Sequence, residues 1–426
     1  MSALAREQLP ALSPRRWHDP AAWSTTADVF AILIAVALPW STSLASISAA
    51  AFLVSMAPFF DVRAFLRSLQ RPVCALPIAL LALALAGTLW SNVSWAERFY
   101  AVGPSTKFLM LPVLFYHFER SARGRQVFIA FLASCAALMA MSWIVAFDPR
   151  LALKSGAEYG VPVKNYIDQS QEFALCAVAL AYPVIGLLRA RRIWPATLLA
   201  ALSLSFVVNM LFVSVSRTAL VTIPLMLAVF ALLHLKWRSI VIIGCATAVL
   251  GGLAWATSPP LRRTTATFLR DYQLYKERNI PTSIGLRLMF WEKSLRFISE
   301  APLFGHGTGS IRALFEEDAV GQFGAAAEVV ANPHNQTLSV GIQWGAIGIV
   351  LLFAMWLVHL SLFRGEGLAA WIGLMVVLQN IFTSAFNSHL FDFNEGWMYV
   401  LGVGIAGSMV LAARSQASVA RESAGP

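Results

Sequence analysis

Long apolar stretches broken by short polar and basic connectors dominate the chain. A helix crossing a bilayer needs about 20 mostly apolar residues. On that measure the pattern predicts twelve spans, near 28–41, 43–60, 73–90, 105–118, 127–147, 170–188, 194–213, 217–235, 238–256, 335–360, 367–386 and 396–413. The first two are separated only by a tight turn at 39–43, and the fourth is short. Alternation over about ten residues, the mark of a membrane β-barrel, is missing from the sequence. The expectation is an all-α polytopic membrane protein, because helices satisfy their own backbone groups in lipid.

Composition supports this. Of 426 residues 58% are hydrophobic and 13% charged, against about 25% charged in an ordinary soluble domain. A soluble enzyme is excluded, and 28 Phe with 14 Trp exclude disorder. The net charge of +10 would suggest nucleic acid in a soluble protein; in a membrane protein it is first a question of topology, and no nucleic-acid partner is expected. Cys74, Cys135, Cys176 and Cys245 all fall in apolar runs and read as small packing residues.

Lys and Arg concentrate in cytoplasmic connectors. With the N-terminus inside, the inner segments hold Arg63, Arg67 and Arg71; Arg120, Arg123 and Arg125; Arg189, Arg191 and Arg192; Lys236 and Arg238; Arg364; then Arg414 and Arg421. This divides the chain into a cytoplasmic tail at 1–27 carrying Arg6, Arg15 and Arg16, nine spans over 28–256, a large periplasmic loop at 257–334, three spans over 335–413 and a cytoplasmic tail at 414–426. The polar start does not resemble a cleavable signal peptide.

Cations on the outer side run against this bias and need a reason. The large loop carries Arg262, Arg263, Arg270, Lys276, Arg278, Arg287, Lys293 and Arg296, opposed up to residue 297 only by Asp271, Glu277 and Glu292. Arg217 stands at the outer mouth of the eighth span, where an ionisable residue is a functional candidate. Guanidinium grips phosphate in two-pronged fashion, which suits a diphosphate; contact with lipid headgroups is the competing reading for 262–278. Ile284, Leu288, Trp291, Leu295 and Ile298 recur at helical spacing, and Arg287 shares a face with Trp291. Gly305-His306-Gly307-Thr308-Gly309-Ser310 reads either as a loop turning N–H groups to an anion or as a tight turn before a helix at 310–318. His306, His334 and His389 are the outer histidines, and His334, in Asn332-Pro333-His334-Asn335, stands where the loop re-enters the membrane. Histidine there can take a proton from a hydroxyl near neutral pH. There is no Asp-x-Asp, no zinc-like ligand spacing and no phosphate-binding glycine fingerprint, so neither metal nor cofactor is expected.

Three motifs in order resemble the O-antigen ligase and polymerase superfamily. Ser214-Val215-Ser216-Arg217-Thr218-Ala219-Leu220 is similar to its span motif. Gly285-Leu286-Arg287, with Trp291 and Pro302-Leu303-Phe304-Gly305-His306-Gly307, is similar to its loop motif, and Asn332-Pro333-His334-Asn335 to its Pro-His-Asn motif. The likeness covers roughly 200–360 by motif and the rest by topology. It implies a fold related to the GT-C glycosyltransferases and a metal-independent, inverting transfer of O-antigen polysaccharide from undecaprenyl diphosphate to a sugar hydroxyl of lipid A-core. It further implies that His334 is the base or acceptor-orienting residue and that Arg217 and Arg287 hold the diphosphate. His306, Arg296 and His389 are additional substrate-binding candidates, with Asp392 beside His389. An O-antigen polymerase or a protein O-oligosaccharyltransferase shares donor and loop and stays open. A twelve-span transporter or flippase is the reading from another class, although such proteins tend to show internal repeats and this sequence shows none.

Overall fold

The computed structural model describes residues 19–423 apart from 157 and 215, with backbone alone at 243, 268, 269 and 421–423. Residues 1–18 and 424–426 lie outside the described residues, and with them Arg6, Arg15, Arg16 and His18; so does the side chain of Arg421. Every regular element among the described residues is helical, so the chain is an all-α polytopic membrane protein. Among the described residues ten helices are long and apolar enough to cross a bilayer: Pro20–Ala37, Thr42–Phe59, Pro72–Leu89, Gly124–Phe147, Tyr166–Arg189, Ile193–Phe212, Arg217–His234, Trp237–Thr257, Gln336–Leu362 and Phe393–Ala420.

Two of the twelve expected spans are built differently. The fourth is a 3-10 turn, Gly103–Leu109, running into a short helix, Met110–Phe118. Pro104 interrupts the backbone and Lys107 is buried there, so a continuous apolar helix does not form. The eleventh is the 16-residue helix Leu368–Thr383. Both shorter pieces pack against the last helix, where Gly404 meets Leu114 and Gly402 meets Val376; small residues let backbones approach where lipid supplies no hydrophobic drive.

The helix ends sort onto two faces. One, the loop face, carries residues 258–335 together with the connectors around 38–41, 148–165 and 384–392. Four of the spans begin there behind side-chain caps. Ser41 accepts from the Leu44 amide at 3.2 Å and Asn165 from the Ile167 and Asp168 amides at 2.9 Å. Ser216 accepts from the Ala219 amide at 3.5 Å, and Asn335 from the Leu338 amide at 3.1 Å. Each satisfies a donor that the first turn leaves free. On the opposite face Arg71 pairs with Glu119, Arg189 donates to the His234 carbonyl and Arg414 to those of Leu362 and Arg364. The basic connectors therefore gather on that face. Val320 is exposed on the loop face and Ala122 on the other. With Cys245 replaced by Ala, Val320→Cys should react with a membrane-impermeant thiol reagent in intact spheroplasts and Ala122→Cys should not; the reverse pattern would overturn the orientation.

The large loop is more helical than the sequence implied. The expected amphipathic helix is Ser283–Glu300, and a second helix, Pro259–Arg278, precedes it. Ser258 caps that second helix, prolines occupy its first turn and Asn279 ends it in the left-handed region at φ 51°.

The glycine-rich turn has a structural task in place of the anion site considered above. The span Gln336–Leu362 is broken at Gly345, whose φ of 58° is not helical. A kink leaves amides and carbonyls without helical partners, and lipid offers no substitutes. Here the Ala346 amide donates to the Pro302 carbonyl at 2.8 Å, while the carbonyls of Ile342 and Gln343 accept from the His306 and Gly307 amides at 2.8 and 2.9 Å. Thr308 donates from its amide to Gly87, and Gly309 to the Gln343 side chain. These N–H groups are thus occupied by protein. Gly305, at φ 65°, has no room for a Cβ against the Gln343–Trp344 backbone, which explains the glycine.

Candidate active site

His334 heads the motif before the broken span. It has φ 54°, uncommon outside glycine, and Asn332 holds that turn: its Oδ1 accepts from the His334 amide at 2.9 Å and from the Ser388 hydroxyl at 2.8 Å. The half-buried imidazole reaches the connector 384–392, with Nδ1 2.9 Å from Asn387 Oδ1. Asn387 Nδ2 in turn donates to Asp392 Oδ2 at 2.8 Å. Burial is the main force holding the His334 pKa below its usual value; the Asn387 hydrogen bond opposes it and the Arg287 charge adds to it. The ring is therefore uncharged at neutral pH.

Arg287 lies on the helix Ser283–Glu300, on the turn that faces His334, and within electrostatic reach of Arg217 and Tyr166. Its guanidinium is half-buried and, among the described residues, makes no hydrogen bond or ion pair. Arg217 is the first residue of its helix; its Nη2 donates to Thr267 at 2.9 Å and approaches Asp271 at 3.4 Å. The pair thus combines one anchored guanidinium with one that lacks a counter-charge. Unpaired and partly desolvated, Arg287 is costly unless an anion joins it.

Beside His334 a cavity of about 310 Å³ is lined by Thr42, Asn165, Asp168, Asn387, His389, Asp392, Asn394 and Glu395, near the lower end of ligand pockets. His389 is buried, with Nδ1 3.3 Å from Asp392 and 3.5 Å from Glu395. Burial opposes its charge, but the two carboxylates prevail and raise its pKa to about 9. His389, Asp392 and Glu395 have ligand atoms within 4.8 Å of one another. The same place already holds positive charge: the Lys107 ammonium donates to the carbonyls of Leu390, Phe391 and Asp392, and a protonated His389 sits between the carboxylates. That set forms an ion cluster beside the connector, held by charge, with both His389 ring nitrogens and Glu395 Oε1 buried without a hydrogen bond.

The remaining candidates have protein partners. His306 Nε2 lies 2.8 Å from the Phe297 carbonyl, away from the His334 cluster's hydrogen bonds. Arg296 pairs with Asp318 and Glu300, and Lys293 joins Asp318 at 2.7 Å, so these cations hold the loop helices together. The structure thus brings His334, Arg287, Arg217 and, through Asn387 and Asp392, His389 to one region, and leaves His306 and Arg296 in the loop's own packing. Sequence reading missed Lys107, Lys164, Glu172 and Asn387. Lys164 donates to the Leu38 carbonyl and to Asn394, whose Nδ2 donates to Glu172 Oε1 at 3.0 Å. For Lys107 and Glu172 a signal existed, a charge inside an apolar run; Asn387 carried none.

Residues 202–353 match the model of the O-antigen ligase family. This segment contains Arg217, Arg287, His306 and His334, and ends before Asn387 and His389. Among curated proteins an uncharacterized protein of Haemophilus influenzae is 25% identical over 143 residues. The match spans 36% of that protein's length and 32% of this chain.

Proposed function

Starting from a chain that carries an O-antigen ligase family domain over residues 202–353, we propose that it transfers O-antigen polysaccharide from undecaprenyl diphosphate to a sugar hydroxyl of lipid A-core. The observation that supports this most is the Arg287 guanidinium, without a hydrogen bond or ion pair among the described residues, within electrostatic reach of a neutral His334. A glycosyl diphosphate needs both functions. The acceptor oxygen attacks the anomeric carbon, its proton passes to the imidazole, and the bond to the diphosphate oxygen breaks on the opposite side, inverting the centre. The diphosphate departs with charge that Arg287 and Arg217 offset, the task a metal ion performs in other enzymes. On this reading the protein sits in the inner membrane of a Gram-negative cell with both termini cytoplasmic, the loop face is periplasmic, membrane lipids surround the spans, and the architecture is of the GT-C kind.

Deleting the gene should remove long O-chains from lipopolysaccharide while lipid-linked polymer accumulates. A mutant that still attaches single repeat units to its core would point instead to a polymerase. A second expectation concerns metals. Because two guanidiniums face the leaving group, transfer in excess chelator should match the untreated rate. Loss of activity in chelator, restored by magnesium or manganese, would contradict it and turn attention to His389, Asp392 and Glu395.

A further inference from the structure

Hydrogen-bond logic fixes the tautomer of His334 from a single backbone amide. The His334 N–H can only donate, and it donates to one atom of the Asn332 side chain at 2.9 Å; that atom is the carbonyl oxygen. The other atom of Asn332 is then the amide nitrogen, and it donates to Asn387 at 2.9 Å. The Asn387 atom receiving it is therefore Oδ1, which leaves Asn387 Nδ2 to donate to the Asp392 carboxylate at 2.8 Å. Each step follows from the donor and acceptor inventory of an amide. Asn387 Oδ1 also lies 2.9 Å from His334 Nδ1. An oxygen with no hydrogen can only accept, so Nδ1 carries the proton and the lone pair stands on Nε2.

We propose that Asn387 is a positioning residue which, fixed by Asn332 and Asp392, holds His334 as the Nδ1–H tautomer and leaves Nε2 free to take the acceptor's proton. This rests on the reading of His334 as the base. The choice of an amide has a chemical consequence. A carboxylate against Nδ1–H would favour the imidazolium and spend the base before the acceptor arrived. With the amide between them, Asp392 orients the chain of bonds while its charge stays one residue away from the ring. The other groups facing the imidazole are Arg287, from the helix Ser283–Glu300, and His389, from the connector; the Phe290 ring packs at 6.1 Å.

Nitrogen-15 NMR of histidine-labelled full-length protein in nanodiscs, with His334→Gln to assign the signal, reads the tautomer without an activity assay. A protonated Nδ1 and an unprotonated Nε2 are expected; the reverse tautomer would overturn the proposal. Asn387→Ala should lower kcat by roughly 10²-fold, the usual scale of general-base help, and should leave donor KM within about twofold. The exchange Asn387→Asp with Asp392→Asn keeps a hydrogen bond between the two positions with its direction reversed and moves the carboxylate to the ring, at the cost of the Asp392 contact to His389. The acidic limb of kcat should rise by about one pH unit or more. An unmoved limb, or parental kcat in Asn387→Ala, would also overturn it. If His334→Ala transfers normally while the labelled ring still shows Nδ1–H, the base reading fails and the tautomer assignment survives.

Discussion

His334→Ala should abolish visible ligation while lipid-linked donor still binds. A sugar hydroxyl is a poor nucleophile until a base takes its proton, and such help is worth about 10²–10⁴ in rate. The ring has one nitrogen engaged by Asn387 and, among the described residues, no carboxylate touching it, so the role proposed for it is proton transfer and not charge pairing with the donor. His334→Gln can keep a hydrogen bond but has no basicity, and should be nearly as poor. The pH profile gives the sign. Burial first, and the Arg287 charge with it, hold the His334 pKa below the ordinary value, roughly 6.5. Protonation removes the base, so kcat should rise with pH and reach its plateau before neutrality. Transfer rate measured alongside donor binding decides the matter: a rate near the parent's in His334→Ala would remove the base assignment.

Arg287→Ala should cost about 10²–10³ in kcat, the scale of losing one preorganised group that stabilises a leaving charge, with Arg217→Ala somewhat less severe. The order follows from the pairing. Arg287 has no counter-ion among the described residues, so its whole charge faces the site, whereas Arg217 is held by Thr267 and Asp271. Lysine at either place should rescue only partly, since a point charge lacks the planar fork. Both proteins should still insert, because Arg217 lies at a helix end and Arg287 in the loop. Activity of both alanine variants at the parental level would remove the diphosphate role.

What could be read from sequence follows a physical divide. Apolar runs located the spans because a bilayer imposes length and continuity on them. They failed at 103–118, where Pro104 and a buried Lys107 break the helix without shortening the apolar run. The helix Pro259–Arg278 escaped because its arginines, threonines and tyrosines show no apolar stripe, although its serine cap and paired prolines were there to be read. Arg217, Arg287 and His334 stood out because charge at a membrane boundary is costly and needs a reason; the structure puts Arg287 within electrostatic reach of the other two. The glycine-rich turn stayed open between two readings for the opposite reason, and the structure has the turn before the helix Ser310–Asp318. Free N–H groups and N–H groups spent on a kinked span look alike in sequence, and only the break at Gly345 tells them apart. Asn387 was invisible because a neutral amide becomes informative only when its partners are known.

The central claim is glycan transfer from a lipid diphosphate to a core sugar. Purified protein in liposomes, given undecaprenyl diphosphate-linked O-antigen and lipid A-core with no ion gradient, tests it most directly. The expected product is lipopolysaccharide carrying long O-chains, with undecaprenyl diphosphate released in equal amount. Lipid-linked polymer that lengthens while the core stays bare, or donor that crosses the bilayer chemically unchanged, would contradict it.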